Sequence, residues 1–271
     1  MRHITIPAQA HGVAGADSSP LAVVQARPGG PAVVPGGSLL LTADFQRVGP
    51  NLVLVAPDGT QVVVVDYFTL AEPPALATAG GAVLPSDLVL KLAGPAAAGA
   101  YAEAAATPAS PPIGKVEKLS GSVESKHPDG TRTTLKAGDA IFQGDVLETK
   151  SDGSVGVVFA DRTTFSLGAN GRMVMDEMVY DPGAKKGHST FSVVQGAFSF
   201  VSGQIAKSGT DAMTIRTPVM TIGIRGTSGA GMAGADGENN AVTLMNDPDG
   251  SIGQITVANQ AGAQVLSQVN Q

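Results

Sequence analysis

Short runs of β-branched and aliphatic residues, separated by turn-forming residues, recur along this chain. The densest succession runs from Ser151 to Asp181. There SVGVVF alternates small or polar residues with apolar ones and stops at Asp161-Arg162. TTFSLG then resumes a period of two that puts Phe165 and Leu167 on one face. The turn Gly168-Ala169-Asn170-Gly171 leads into RMVMDEMVY. In that run Met173, Met175, Glu177 and Val179 share one face and Val174, Asp176, Met178 and Tyr180 the other, so neither face is wholly apolar. The pattern predicts a three-stranded meander, which buries one face and needs further strands or a second sheet to cover it.

The flanks supply them. Upstream, AVV, SLLLTADF, NLVLV and TQVVVV read as strands. The last two form a predicted hairpin across Pro57-Asp58-Gly59, where Pro sets φ, Asp bonds back to the backbone and Gly takes a positive φ. The same tripeptide recurs at Pro128–Gly130 and Pro248–Gly250, each between candidate strands, which predicts two more hairpins. A short helix is expected over Ser86–Ala93, capped by Ser86 or Asp87 and ended by Gly94-Pro95. Residues 1–32 read as a loosely ordered lead-in, 33–93 as a small β-region with that one helix, and 94–112 as an Ala/Pro linker. Residues 113–233 read as the main β-domain and 234–271 as a Gly/Asn/Gln-rich tail with a hairpin. Inside the main domain Gly138-Asp139 and Gly144-Asp145 bracket Ile141-Phe142, as if the chain bends at both steps around an apolar plug.

Composition narrows the class. The 271 residues hold 35 glycines and 18 prolines, with 43% apolar residues. Many turns between short strand-forming runs favour an all-β protein. Net charge is −6, with 4 basic and 7 acidic residues over 1–112, 13 and 12 over 113–233, and 0 and 4 after that. No segment is a basic surface able to neutralise phosphates, which excludes nucleic acid as the expected partner. The absence of cysteine removes disulfides, thiolate metal sites and cysteine nucleophiles together. MRHITIPAQAHGVAGADSSP lacks the apolar centre of a signal peptide, and no apolar run approaches the length of a membrane span.

One ordered set of motifs points further. It comprises the opening G-x-V-x-x-x-x-G-x-V from Gly114, the two Gly-Asp steps, D-x-T-x-F-x-L-G from Asp161 to Gly168, and T-P-x-x-x-x-x-I-R-G-T from Thr217 to Thr227. In that order, over Ile113 to Gly231, the chain resembles the FecR domain of bacterial envelope proteins. The resemblance implies a compact β-domain, either a sandwich or a short β-solenoid, preceded here by the small N-terminal β-hairpin region. The long-known member of the family relays an outer-membrane signal to a sigma factor and carries a membrane helix ahead of the domain, which is not read in this sequence. More similar is the variant near the N-terminus of very large, repeat-bearing surface proteins that resemble type I secreted adhesins. In that variant an LVLV-PDG hairpin like Asn51–Val65 precedes the domain. The family's D-G-T turn stands here as Asp161-Arg162-Thr163.

Candidate chemistry is sparse. Gly229-x-Gly231-x-x-Gly234 spells a dinucleotide fingerprint, but turn-forming ADGENN follows where a helix must begin. His3, His11, His127 and His188 fall in loops or the lead-in without ligand spacing. Asn246–Gly250 lacks the alternating ligands and distal Glu of a calcium loop. Asp139 and Asp145 are expected to hold turns. Arg225, in an otherwise apolar strand, is expected to pair with an acid such as Asp145 or Asp161. Phe191, Phe198 and Phe200 are expected in the core. Gly138, Asp139, Gly144, Asp145, Asp161, Gly168, Arg225 and Gly226 are thus structural candidates, with no catalytic residue, cofactor or metal expected. The resemblance implies a non-catalytic cell-envelope or surface module serving adhesion or anchoring, secreted, at the surface or periplasmic without a cleavable signal, with a cytoplasmic location still open. Its partner would be a protein or an envelope component. The second reading is a periplasmic signal-relay module that binds its partner through a sheet edge or a loop.

Overall fold

The computed structural model describes residues 21–95, 111–234 and 240–269. Most of the expected linker and most of the lead-in lie outside them. The chain is all-β, as expected, and falls into a small N-terminal region seated on a large curled, open sheet, a half-barrel.

The N-terminal region contains β1 (Leu21–Gln25), β2 (Ala32–Val33), α1 (Leu39–Thr42), β3 (Asp44–Val48), β4 (Asn51–Val55), β5 (Gln61–Val65), β6 (Leu76–Ala77), β7 (Val83–Leu84) and α2 (Ser86–Ala93). The predicted hairpin is β4–β5, antiparallel around Asp58-Gly59. Its alternation sends Leu52, Leu54, Val62 and Val64 into the core. The lead-in expectation needs correction: β1 pairs in parallel along the edge of β5, so residues from Leu21 onward belong to the sheet. SLLLTADF is corrected too. Its first half turns into the single helical turn α1, which keeps Leu39, Leu40 and Leu41 in one core where a strand would point Leu40 away from the other two. Helix α2 has the predicted bounds, but Pro85 occupies the N-cap without a side-chain hydrogen bond, so neither Ser86 nor Asp87 caps it.

The half-barrel runs through β8 (Gly114–Ser120), β9 (Val123–Lys126), β10 (Arg132–Thr134), β11 (Ala140–Ile141), β12 (Val146–Thr149), β13 (Ser154–Phe159), β14 (Thr164–Leu167), β15 (Arg172–Asp181), β16 (Lys186–Val201), β17 (Met213–Arg216), β18 (Thr221–Arg225), β19 (Ser228–Ala233), β20 (Ala241–Met245), β21 (Gln254–Asn259) and β22 (Gly262–Leu266). Strand β16 belongs to two arms. Its first part joins β10-β9-β12-β15 to β17-β18-β21-β22, and its last part joins β11-β8-β13-β14 to β19-β20. The arms meet where Gly196 takes φ +103°. A Cβ there would come 2.7 Å from the Gly171 Cα, so only glycine permits both the bend and the approach. Between the arms lies one core, with Phe165 stacked on Phe198 at 5.8 Å and Phe159 and Phe191 at 4.8 Å. Phe191, Phe198 and Phe200 are core residues, as expected.

The meander is not continuous. β13 and β14 pair, but the Gly168–Gly171 turn carries the chain to the other arm, where β15 pairs with β12 and β16. The mixed faces of β15 have a cause. Met175 and Asp176 together oppose one residue of β16, a bulge that reverses the in–out order. Met173, Met175 and Met178 therefore all enter the core between the arms, while Val174 faces the N-terminal region. Pro128–Gly130 turns the antiparallel β9–β10 hairpin, as predicted. Pro248–Gly250 does not make a hairpin: β20 pairs with β19 in one arm and β21 with β18 and β22 in the other. The predicted tail is thus part of both arms, and its hairpin is β21–β22.

Candidate functional site

Most of the residues singled out in the sequence hold turns at the rim of the half-barrel, and the structure does not gather them into one site. Asp139 accepts a hydrogen bond from Lys136 N at 2.7 Å, beside Gly138. Asp145, fully buried, accepts from Phe142 N at 2.9 Å and meets His127 Nδ1 at 2.7 Å. Gly144 precedes it at φ +87°, where a Cβ would strike the Pro128 ring at 2.8 Å, so the second Gly-Asp step lies directly against the β9–β10 turn. Asp161, also fully buried, accepts from Thr163 N and Thr163 Oγ1 at 2.9 and 2.8 Å and from Ile205 N at 3.1 Å. It ties the β13–β14 turn to the corner after β16. Arg162 in this turn takes φ +71°, the left-handed conformation that the glycine of a D-G-T turn adopts freely. Gly168 packs on Ala197 and Gly226 on Lys207.

Arg225 is corrected. It is exposed at the end of β18 and, among the described residues, pairs with neither Asp145 nor Asp161, whose carboxylates are occupied by the turn donors just named. One histidine leaves the loops: His188 is in β16, 2.9 Å from Glu177. His127 is in the loop that follows β9, as expected, and bridges Asp145 and Thr133, its Nε2 3.1 Å from the hydroxyl. Hydroxyl, imidazole and buried carboxylate in line suggest a relay, but their evident work is to fix the β9–β10 hairpin against β12. Among the described residues no three metal-ligating side chains converge.

The arginine that matters is Arg172, at the start of β15. It is 9% exposed, and its Nε donates to Glu148 Oε1 at 2.9 Å while its Nη1 donates to Leu41 O and Ala43 O at 2.9 and 2.8 Å. One guanidinium thus joins β12 of the half-barrel to the α1 turn of the N-terminal region. Arg132 extends the network with bonds to Glu148 at 2.8 Å and Asp44 at 2.9 Å. Burial pushes the Glu148 carboxyl up, but the Arg172 and Arg132 guanidiniums outweigh it and hold it below its ordinary value. Around this clasp Val146, Val174 and Val194 complete the N-terminal core. Lys91 of α2 pairs with Asp176 at 2.7 Å, and Asp176 also accepts from Ser192. Lys126 donates to Leu92 O at 2.6 Å, at the C-terminal end of α2. Burial lowers the Lys126 ammonium, opposed in part by the Asp44 carboxylate. Sequence spacing could not identify Arg172, because its carbonyl partners lie 131 and 129 residues away.

Two features remain open to partners. β20 and β22 are terminal strands of their arms, and Met232, Met245 and Val265 stand exposed on or beside them. A cleft of about 490 Å³ opens where the N-terminal region meets the β17–β18 and β21–β22 turns. No helix among the described residues is long and apolar enough to cross a membrane.

Residues 145–246 match the family described as FecR protein, so the chain contains a FecR domain. The match runs from the residue before β12 to the residue after β20; the half-barrel extends beyond it at both ends, through β8–β11 and β21–β22. No match was found among curated proteins. Among solved structures, a cell surface anchoring domain is 36% identical over 23% of this chain and 83% of its own, with a TM-score of 0.23.

Proposed function

We propose that this chain is a non-catalytic module of the bacterial cell envelope or surface, built on a FecR domain and serving adhesion or anchoring through a protein or envelope partner. The observation that carries the reading is the FecR match over β12–β20, the part of the half-barrel through which both arms are joined. Consistent with it, the buried acids of this part serve as turn holders or clasp partners, an arrangement that builds a scaffold. The open strands β20 and β22 offer backbone groups for strand addition by a partner. A relay module in sigma-factor regulation would use the same edges; the site of exposure separates the two. A tagged protein is digested with protease on intact cells, on cells with a permeabilised outer membrane, and on lysed cells. Cleavage on intact cells supports the surface reading. Protection until the outer membrane opens supports a periplasmic anchor or relay, and protection until lysis refutes an envelope location.

A further inference from the structure

The N-terminal sheet, in the order β1-β5-β4-β3, has two apolar faces and buries one of them. Its inward residues, Phe45, Leu52, Leu54, Val62 and Val64, lie in the core closed by the half-barrel. The residues between them are mostly valines as well. Val23, Val48, Val53, Val55, Val63 and Val65 share the outer face, where Val63 has Val23 on one side and Val53 on the other. Val23 and Val48 are 62% and 54% exposed and the other four are half-buried. None of the six belongs to either hydrophobic core or packs against one.

A sheet with one wet face alternates apolar and polar residues, whereas an unbroken β-branched run such as Val62–Val65 suits a strand covered on both sides. β4 and β5 thus have the composition of sandwich strands, with their outer face turned away from the half-barrel. The rim of that face indicates its occupant. Gln25, Gln46 and Gln61 stand exposed around the valines. The one charged side chain on the face, Asp44 at a corner, is already bonded to Arg132 and Gln46. Such a face gives a charged partner nothing to recognise, and it sets no like charges in opposition when it meets its own copy. A glutamine amide both donates and accepts, so it can pair with the same amide of a second copy.

We infer that two copies of this chain stack their N-terminal sheets face to face, about a two-fold axis near Val63, the middle residue of β5. The contact is isologous, with the valines of each copy packed on those of the other as in an aligned β-sandwich. Four strands about 4.8 Å apart and five residues of about 3.4 Å give roughly 300 Å² of face per copy. That is well below the roughly 800 Å² per partner of a stable dimer, so the association is weak and reversible, with a Kd of roughly 0.1–1 mM.

The test uses the full chain with labelled valine methyl groups, from about 20 μM to about 2 mM, with a soluble paramagnetic chelate reporting their exposure. At the low end the Val53 and Val63 methyl groups are open to the chelate; at the high end they become shielded while the sedimentation mass rises towards that of two chains. Val63→Lys and Val63→Glu, at an outward position, each weaken association about tenfold or more, and an equal mixture of the two restores it. Val63→Thr keeps the shape and strand preference of valine and weakens association about threefold. Protection of the Leu52 and Leu54 amides reports that each variant is folded. No concentration dependence up to about 2 mM, association undiminished by Val63→Lys, or a mixture no tighter than either variant alone would each overturn the assignment. So would valine methyl groups shielded at every dilution and opened by removing residues 1–16, since the chain's own leading segment would then hold the face. Cellular location does not enter this readout, so it fails or stands apart from the envelope reading.

Discussion

Replacing Arg172 by alanine should separate the two parts of the molecule energetically. The substitution deletes the Glu148 bond and leaves the carbonyls of Leu41 and Ala43, on residues that are 2% and 0% exposed, without their donor. Removing one partner of a buried pair costs about 3–5 kcal/mol. Arg132 still balances Glu148 at 2.8 Å, which places the expected loss near the lower end, about 3 kcal/mol. Arg172→Lys keeps the charge but cannot serve one carboxylate and two carbonyls with one fork, and should lose about 1–2 kcal/mol. In urea unfolding the loss appears as a lower midpoint. Native-state hydrogen exchange locates it: protection at Leu52, Leu54, Val62 and Val64 falls while Phe165 and Phe191 keep theirs. The effect also depends on pH. Glu148 is held below its ordinary value of 4.5, so its contribution is complete above that value and is lost as pH falls through the lower folded value. The gap between wild type and Arg172→Ala therefore narrows below pH 4.5. A loss under about 1 kcal/mol, against the 3 expected for a buried pair, or an equal loss of protection in both cores, would refute the clasp.

Three further outcomes follow from single positions. Arg162→Gly restores a residue suited to φ +71° and should raise stability by about 0.5–1 kcal/mol in urea melts, since a left-handed non-glycine residue costs about 1–2 kcal/mol. Gly196→Ala puts a methyl group against Gly171 at the bend of β16; the protein should express as an aggregate or lose its near-ultraviolet signal, and a native spectrum would contradict the bend. Asp161→Ala strands the buried Thr163 and Ile205 amides and should cost about 2–4 kcal/mol, read from the thermal midpoint, with Asp161→Asn losing less.

The sequence made legible whatever depends on neighbours along the chain. Pro-Asp-Gly marked three turns, and each Asp bonds the amide two residues on: Thr60, Thr131 and Ser251. Ser86–Ala93 and the inward phenylalanines were readable for the same reason, since helix ends and period-two runs are local signals. What escaped was set at a distance. Pro248–Gly250 turns the chain like its two counterparts, but which strands flank it depends on β18 and β19, not on the tripeptide. The mixed faces of β15 arose from a bulge opposite β16. Arg225 and Arg172 both stand among apolar residues in strands, and period alone cannot tell which one meets buried carbonyls and which one meets solvent. That choice was made by the N-terminal region, which covers β15 and leaves the end of β18 bare.

The closing of the N-terminal core by Val146, Val174 and Val194 has a consequence for the order in which the chain emerges. Leu40, Leu52, Leu54 and Val62 are made early, yet the last valine of their floor comes about a hundred residues after α2 ends, which at ribosomal rates of roughly 5–20 residues per second is a wait of about 5–20 s. Over that interval the leading segment has no completed core to collapse into. A chaperone acting in that window meets a leading segment whose core still lacks the valines of β12, β15 and β16, and the seam closes only once β16 has been made.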